Sequence, residues 1–224
     1  MDVRISRLHF PVSALGPGLR IGIWFQGCTI RCQGCISADT WTTNTGATTV
    51  ESVLAYLRPW LSDANGITIS GGEPFEQPEA LVLLLEKLRE KTAADILVYS
   101  GYPVESITPI LEKADGLIDA LISDPFDIQS PHSRPLRGSD NQRLHLLTAL
   151  GRDRFSQYER HLLDSDKSLD VMFDQDGAVW FAGIPKRGDF QRLQELLTDQ
   201  GHQVHISAAK LPGHTIASPG DLQS

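Results

Sequence analysis

Four short apolar runs, Ile21 to Phe25 (IGIWF), Gly66 to Ser70 (GITIS), Asp95 to Ser100 (DILVYS) and Leu117 to Ser123 (LIDALIS), alternate with stretches whose apolar residues recur at helical spacing. Each run is short, rich in β-branched or aromatic residues and bounded by turn formers, which predicts a buried strand. The intervening helices are predicted from Val50 to Trp60, from Pro78 to Lys91 and from Val104 to Ala114. Thr48 or Thr49 can cap the first, and the second carries proline in its first turn with Lys87, Arg89 and Lys91 in its last. Strands separated by helices predict an α/β fold with a parallel sheet, open or curled into a barrel, because a parallel neighbour needs a long crossover. With 224 residues, 41% of them hydrophobic, the chain can bury one core.

Beyond Asp124 the pattern loosens into PFDIQSPHSRPLRGSDNQR, a polar, proline-rich connection long enough to be functional. Strands are expected around QRLHLL, LDVMFD and AVWFAGIP, the last two joined at DQDG. A helix from Phe190 to Thr198 and a strand at HQVHIS follow. The expected organisation is one domain over residues 1–206, with a core at about 16–143, a barrel-closing extension at about 144–206 and a flexible tail at 207–224.

The formal net charge is −8 and no basic block occurs, so nothing marks a nucleic-acid or anionic membrane partner. No apolar run approaches the roughly 20 residues that span a bilayer, and MDVRISRLHF lacks the layout of a secretory signal, so the cytoplasm is the expected location. A reducing compartment also suits the cysteines. All three, Cys28, Cys32 and Cys35, stand within WFQGCTIRCQGCIS and cannot form a paired disulfide framework. They follow the first run of the four, SGGEPF follows the second, Ser100 ends the third and Asp124 follows the fourth. Ligands of parallel α/β folds bind outside the carboxyl ends of the strands, so these stretches are expected to share one site. Three thiolates suit an iron–sulfur cluster with one iron left unligated by protein, or zinc with His9 or His132 as the fourth ligand.

The spacing Cys28-x3-Cys32-x2-Cys35 resembles the cluster signature of radical S-adenosylmethionine enzymes, and Gly71-Gly72-Glu73-Pro74 resembles their second-strand motif. GPGLRIGIWFQGCTIRC, SGGEPFEQ, SDPFD and RGSDNQR are together similar to the activating enzymes of anaerobic ribonucleotide reductase, over roughly Gly16 to Arg143. The resemblance implies a partial (β/α)6-type barrel with parallel strands, plus a C-terminal hairpin and helix. It implies a [4Fe-4S] cluster on Cys28, Cys32 and Cys35, and S-adenosylmethionine chelated to the fourth iron. Gly34, Ser70, Gly71, Gly72, Glu73, Ser100, Asp124, Arg137 and Asn141 are the implied contacts to that cofactor or to the substrate.

The implied activity is one-electron reductive cleavage of S-adenosylmethionine to a 5′-deoxyadenosyl radical that abstracts hydrogen, most simply from a glycyl-radical enzyme. A flavodoxin or ferredoxin would supply the electron, such acidic donors being met by a local basic patch around Arg134 to Arg143. A radical enzyme acting on a small metabolite or peptide, and a non-catalytic iron–sulfur carrier, are the other readings. Two departures stand out: Gly34 occupies the position before the third cysteine where activases often carry an aromatic residue, and Ile36 follows Cys35 in place of the usual His-Asn pair.

Overall fold

The computed structural model describes residues 1–166, 169–173, 179–186 and 188–201. The DQDG turn, the HQVHIS strand and the 207–224 tail lie outside them. The chain opens with β1 (Asp2–Val12), which runs antiparallel to β2 (Arg20–Phe25), and β3 (Ala47–Thr49) pairs antiparallel with the other edge of β1. Then come α1 (Val50–Leu57), β4 (Gly66–Gly71), α2 (Pro78–Arg89), β5 (Asp95–Tyr99), α3 (Val104–Lys113) and β6 (Ala120–Ser123). β2, β4, β5 and β6 are parallel neighbours in that order. The Thr49 hydroxyl caps α1 by accepting from the Ser52 amide at 3.2 Å, and Pro59 then tightens the chain into a 3-10 turn over Arg58–Trp60.

β7 (Arg143–Leu146) returns antiparallel to β6, giving among the described residues a seven-stranded sheet ordered β3-β1-β2-β4-β5-β6-β7. Of the expected partial (β/α)6-type barrel, the structure shows the largely parallel central sheet, β2, β4, β5 and β6, with antiparallel strands at both edges. The antiparallel edges follow from the connections: β1 reaches β2, and β6 reaches β7, without the crossover helix that a parallel neighbour requires.

Alternation along the strands assigns the two faces. Ile21, Ile23, Phe25, Ile67, Ile69, Ile96, Val98 and Leu121 point outward and bury against Val53, Leu57, Leu81, Leu84, Leu88 and Ile107 of α1 to α3. Each fully buried side chain of this kind contributes about 1.5–3 kcal/mol. The opposite face carries Trp24, Leu97, Tyr99, Ala120 and Ile122. It is covered by the connection after β6, by α4 (Ala149–Phe155) and by the hairpin of β8 (Leu169–Phe173) and β9 (Val179–Gly183), with α5 (Asp189–Asp199) following. Leu136 and Phe155 pack on Leu97, Ala120 and Ile122, while Met172 and Ala182 pack on Val12, Leu15 and Trp24. The extension thus covers a face, and among the described residues β8 and β9 pair only with each other. Asp170 clasps the hairpin to the end of β1, accepting from the Ser13 amide and hydroxyl and the Ala14 amide at 2.6–2.7 Å.

Beneath this cover lies a buried ion pair. Arg20 and Asp95 have no exposed side-chain surface and meet at 2.6 Å, with Arg154 reaching Asp95 at 3.1 Å. Arg20 also donates to the Thr68 hydroxyl and to the carbonyls of Pro17 and Ile67. These bonds answer the cost of taking a guanidinium out of water.

Candidate metal centre

The carboxyl ends of β2, β4, β5 and β6 deliver their loops to one edge, as the sequence predicts. Backbone bonds lace the first two loops together: Gly72 donates to the Phe25 carbonyl and Glu73 to the Gly27 carbonyl, both at 2.8 Å. A Cβ on Gly72 would stand 2.1 Å from the Gly27 oxygen, and at Gly71, with φ +101°, one would stand 2.5 Å from the Phe25 backbone nitrogen, so only glycine fits this seam. On the other side, the turn over Ala38–Thr40 folds back, and the carbonyls of Thr40 and Trp41 accept from Gly27 at 2.7 Å and Cys28 at 3.2 Å. The cysteine loop is held from both flanks.

The three thiols are free and half-buried. Burial pushes the pKa of all three thiols above its ordinary value, Cys35 to about 11, against the amides that face them: Arg31 and Ile30 at Cys28, Phe126 at Cys32 and Ser37 at Cys35. Soft sulfur donors in a loop, each met by N–H groups, fit an iron–sulfur cluster, whose sulfurs carry negative charge. Zinc gathers its thiolates at about 2.3 Å around one ion. Among the described residues no three His, Cys, Asp or Glu side chains converge on a single ion in that way. His132 lines a cavity of about 440 Å³ with Gly16, Asn65 and Tyr158, by the amino ends of β2 and β4.

Glu73 is buried beside the cysteine loop. Its carboxylate accepts from the Phe75 amide, the Ser100 hydroxyl and the Gly101 amide at 2.7–3.0 Å, yet burial outweighs these donors and pushes its pKa up to about 7. Ser100 thereby serves Glu73 and also accepts from the Tyr102 amide. Ser70 sits on the covered face of β4 opposite Trp24. Asp124, at φ +83°, is engaged by Arg143 at 2.7 and 3.0 Å and by the Ser123 hydroxyl.

Arg137 is 2% exposed and turns toward the C-terminal extension, pairing with Glu159 at 2.6 Å. Asn141 donates to the Pro125 carbonyl, and its neighbour Gln142 to that of Asp124, so RGSDNQR props up the loop after β6. The expected basic patch is corrected as well: Arg134 and Arg137 share Glu159, and Arg143 pairs with Glu105 and Asp124, so carboxylates balance all three.

The structure also brings in residues that sequence reasoning missed. At Gly34, with φ +77°, an added Cβ would meet Ile128 Cδ1 at 2.7 Å and Phe126 Cε1 at 3.5 Å, so side chains from the loop after β6 occupy the space a side chain at this position would need. Glu76 accepts from Thr29 and from the Tyr102 hydroxyl. Trp41 places its indole beside Cys35. Spacing within the cysteine motif carries no signal for any of these, because they arrive from other loops.

The family model of the 4Fe-4S single cluster domain matches residues 14–145. The chain is 31% identical over 149 residues to the anaerobic ribonucleoside-triphosphate reductase-activating protein of Escherichia coli K12, covering 62% of this chain and 96% of that protein. Its counterpart in enterobacteria phage T4 is 29% identical over 134 residues, 58% of this chain and 85% of that protein. The pyruvate formate-lyase-activating enzyme of Clostridium pasteurianum is 35% identical over 105 residues, 45% of this chain and 44% of its own. The match ends within β7, so α4, the hairpin and α5 lie beyond the family model. The cysteine loop, the glycine seam and these likenesses agree: the chain belongs to the 4Fe-4S single cluster domain family, among the radical S-adenosylmethionine activases, enzymes whose cofactors are an iron–sulfur cluster and S-adenosylmethionine.

Proposed function

We propose that this protein activates a glycyl-radical enzyme such as an anaerobic ribonucleotide reductase, with Cys28, Cys32 and Cys35 holding a [4Fe-4S] cluster. The observation that carries this reading is the convergence of the cysteine loop, the Gly71–Glu73 seam and the loop after β6 at one edge of the sheet. When bound, the cluster and S-adenosylmethionine supply one-electron cleavage of the sulfonium carbon–sulfur bond and hence a 5′-deoxyadenosyl radical.

The chain's own residues bind, orient and exclude water. Gly71 and Gly72 would give the methionine part backbone to lie against. Glu73 and the carbonyls near it would accept from its ammonium group, with Ser100 fixing the carboxylate. Gly34, Ser70 and Asp124 line the remaining approach, and Arg137 and Asn141 act through the loop they support. Because the extension covers one face of the sheet and the helices the other, a substrate reaches the site at the loop edge. That suits a protein presenting its own glycine better than a small molecule swallowed whole. A flavodoxin or ferredoxin in the cytoplasm is the proposed electron donor; among the described residues no helix is long and apolar enough to cross a membrane.

The test is anaerobic reconstitution with reductant and S-adenosylmethionine. The expected products are methionine and 5′-deoxyadenosine, with deuterium transferred into deoxyadenosine from a candidate partner labelled at its glycine. Reconstituted protein that yields no deoxyadenosine would remove the proposal.

A further inference from the structure

Trp41 grips the cysteine motif twice. Its carbonyl accepts from the Cys28 amide at 3.2 Å, at the start of the motif, and its indole lies beside the Cys35 sulfur, at the end. The indole Nε1 is buried and has no aligned hydrogen-bond partner. A buried N–H left in this state is costly, and native structures rarely leave one without a reason. Neighbouring chain explains the placement without supplying an acceptor: Trp41 follows the 3-10 turn over Ala38–Thr40, and its own amide is used by the Ala38 carbonyl. What lies in reach of the indole is a thiol, a weak acceptor that becomes a strong one on losing its proton to a metal.

We infer that the Trp41 indole donates its N–H to the Cys35 sulfur when that sulfur ligates the cluster, and that this bond raises the cluster's reduction potential. The sign follows from charge. An N–H dipole directed at a ligating sulfur withdraws electron density and stabilises the reduced, more negative cluster, and hydrogen bonds to sulfur are among the protein's means of setting such potentials. Trp41 is on this account a positioning residue, acting on the iron through Cys35. The inference rests on the cluster reading given above.

The test uses the full chain, reconstituted anaerobically with iron and sulfide, in wild-type form and as Trp41→Phe, which keeps an aromatic ring and the backbone contact to Cys28 but removes the N–H. Iron content is measured first. At equal iron content, the midpoint potential of Trp41→Phe should shift downward. In wild-type protein with ¹⁵N only in its indole rings, the reduced cluster's paramagnetic signal should carry a nitrogen coupling that Trp41→Phe lacks. An unchanged potential at equal iron content, or no indole coupling in the wild type, would overturn the inference while leaving the cluster intact. If Trp41→Phe fails to hold a cluster, the wild-type coupling decides alone. Wild-type protein that binds no cluster at all would defeat the reading beneath it and this inference together.

Discussion

Thr29 and Glu76 are joined by the threonine amide at 2.9 Å and by its hydroxyl, so the residue after the first cysteine is fastened to the turn that follows β4. Tyr102 adds its hydroxyl to the same carboxylate at 3.1 Å. Three loops therefore depend on one side chain. Glu76→Ala should cost about 1–2 kcal/mol, since two of the lost bonds are partly exposed to water. Iron retained per chain after desalting should drop more than the melting temperature does; unchanged retention would separate this clasp from cluster binding.

Gly72→Ala should be far more damaging than its size suggests. The new methyl would sit 2.1 Å from the Gly27 carbonyl oxygen, and backbone has to move on both sides of the seam. The expected cost is about 3 kcal/mol. Gly116→Ala is the control: φ there is +73° with nothing within 4 Å, leaving only the left-handed backbone cost of about 1 kcal/mol. Denaturant midpoints of the two variants should rank accordingly.

Asp95→Ala would leave Arg20 charged and buried with only neutral acceptors. Removing one partner of such a pair costs about 3–5 kcal/mol. Its position near the amino ends of the strands, away from the cysteines, predicts a stability loss without a change in the cluster's spectrum in whatever fraction remains folded.

Acidity at Glu73 gives the cluster-free protein a pH dependence. The folded pKa of about 7 lies above the ordinary glutamate value, so between roughly pH 4.5 and 7 the folded state holds a proton that the unfolded state releases. Stability should therefore decline as pH rises through that window, by an amount on the order of a few kcal/mol, and level off above it. Melting temperatures of metal-free protein across this range check the sign. Glu73→Gln, which cannot ionise, should remove the slope.

The parallel strands were legible because a strand covered on both faces reads as an unbroken apolar run, and IGIWF and DILVYS do. β1 was not, since its buried Val3 and Ile5 alternate with arginine and serine and the strand is half exposed. The antiparallel direction of β7 is not legible for a related reason: it is set by a connection whose polar residues give no sign in the sequence that they pack beneath the loop after β6. At the site, the cysteines and the glycine seam are local patterns and could be read directly. Phe126, Ile128, Glu76 and Trp41 join it through tertiary contacts, which no spacing rule encodes.

Synthesis order gives the Asp170 clasp a further meaning. Everything that frames the cysteines has left the ribosome once β7 is complete at Leu146, whereas the hairpin that shelters Trp24 ends at Gly183. At roughly 5–20 residues per second, the intervening stretch takes a few seconds to emerge. For that interval the nascent molecule carries its cysteine loop on a half-dressed sheet, with Trp24 and Leu15 facing water, so metal delivery and aggregation compete before the last strands arrive.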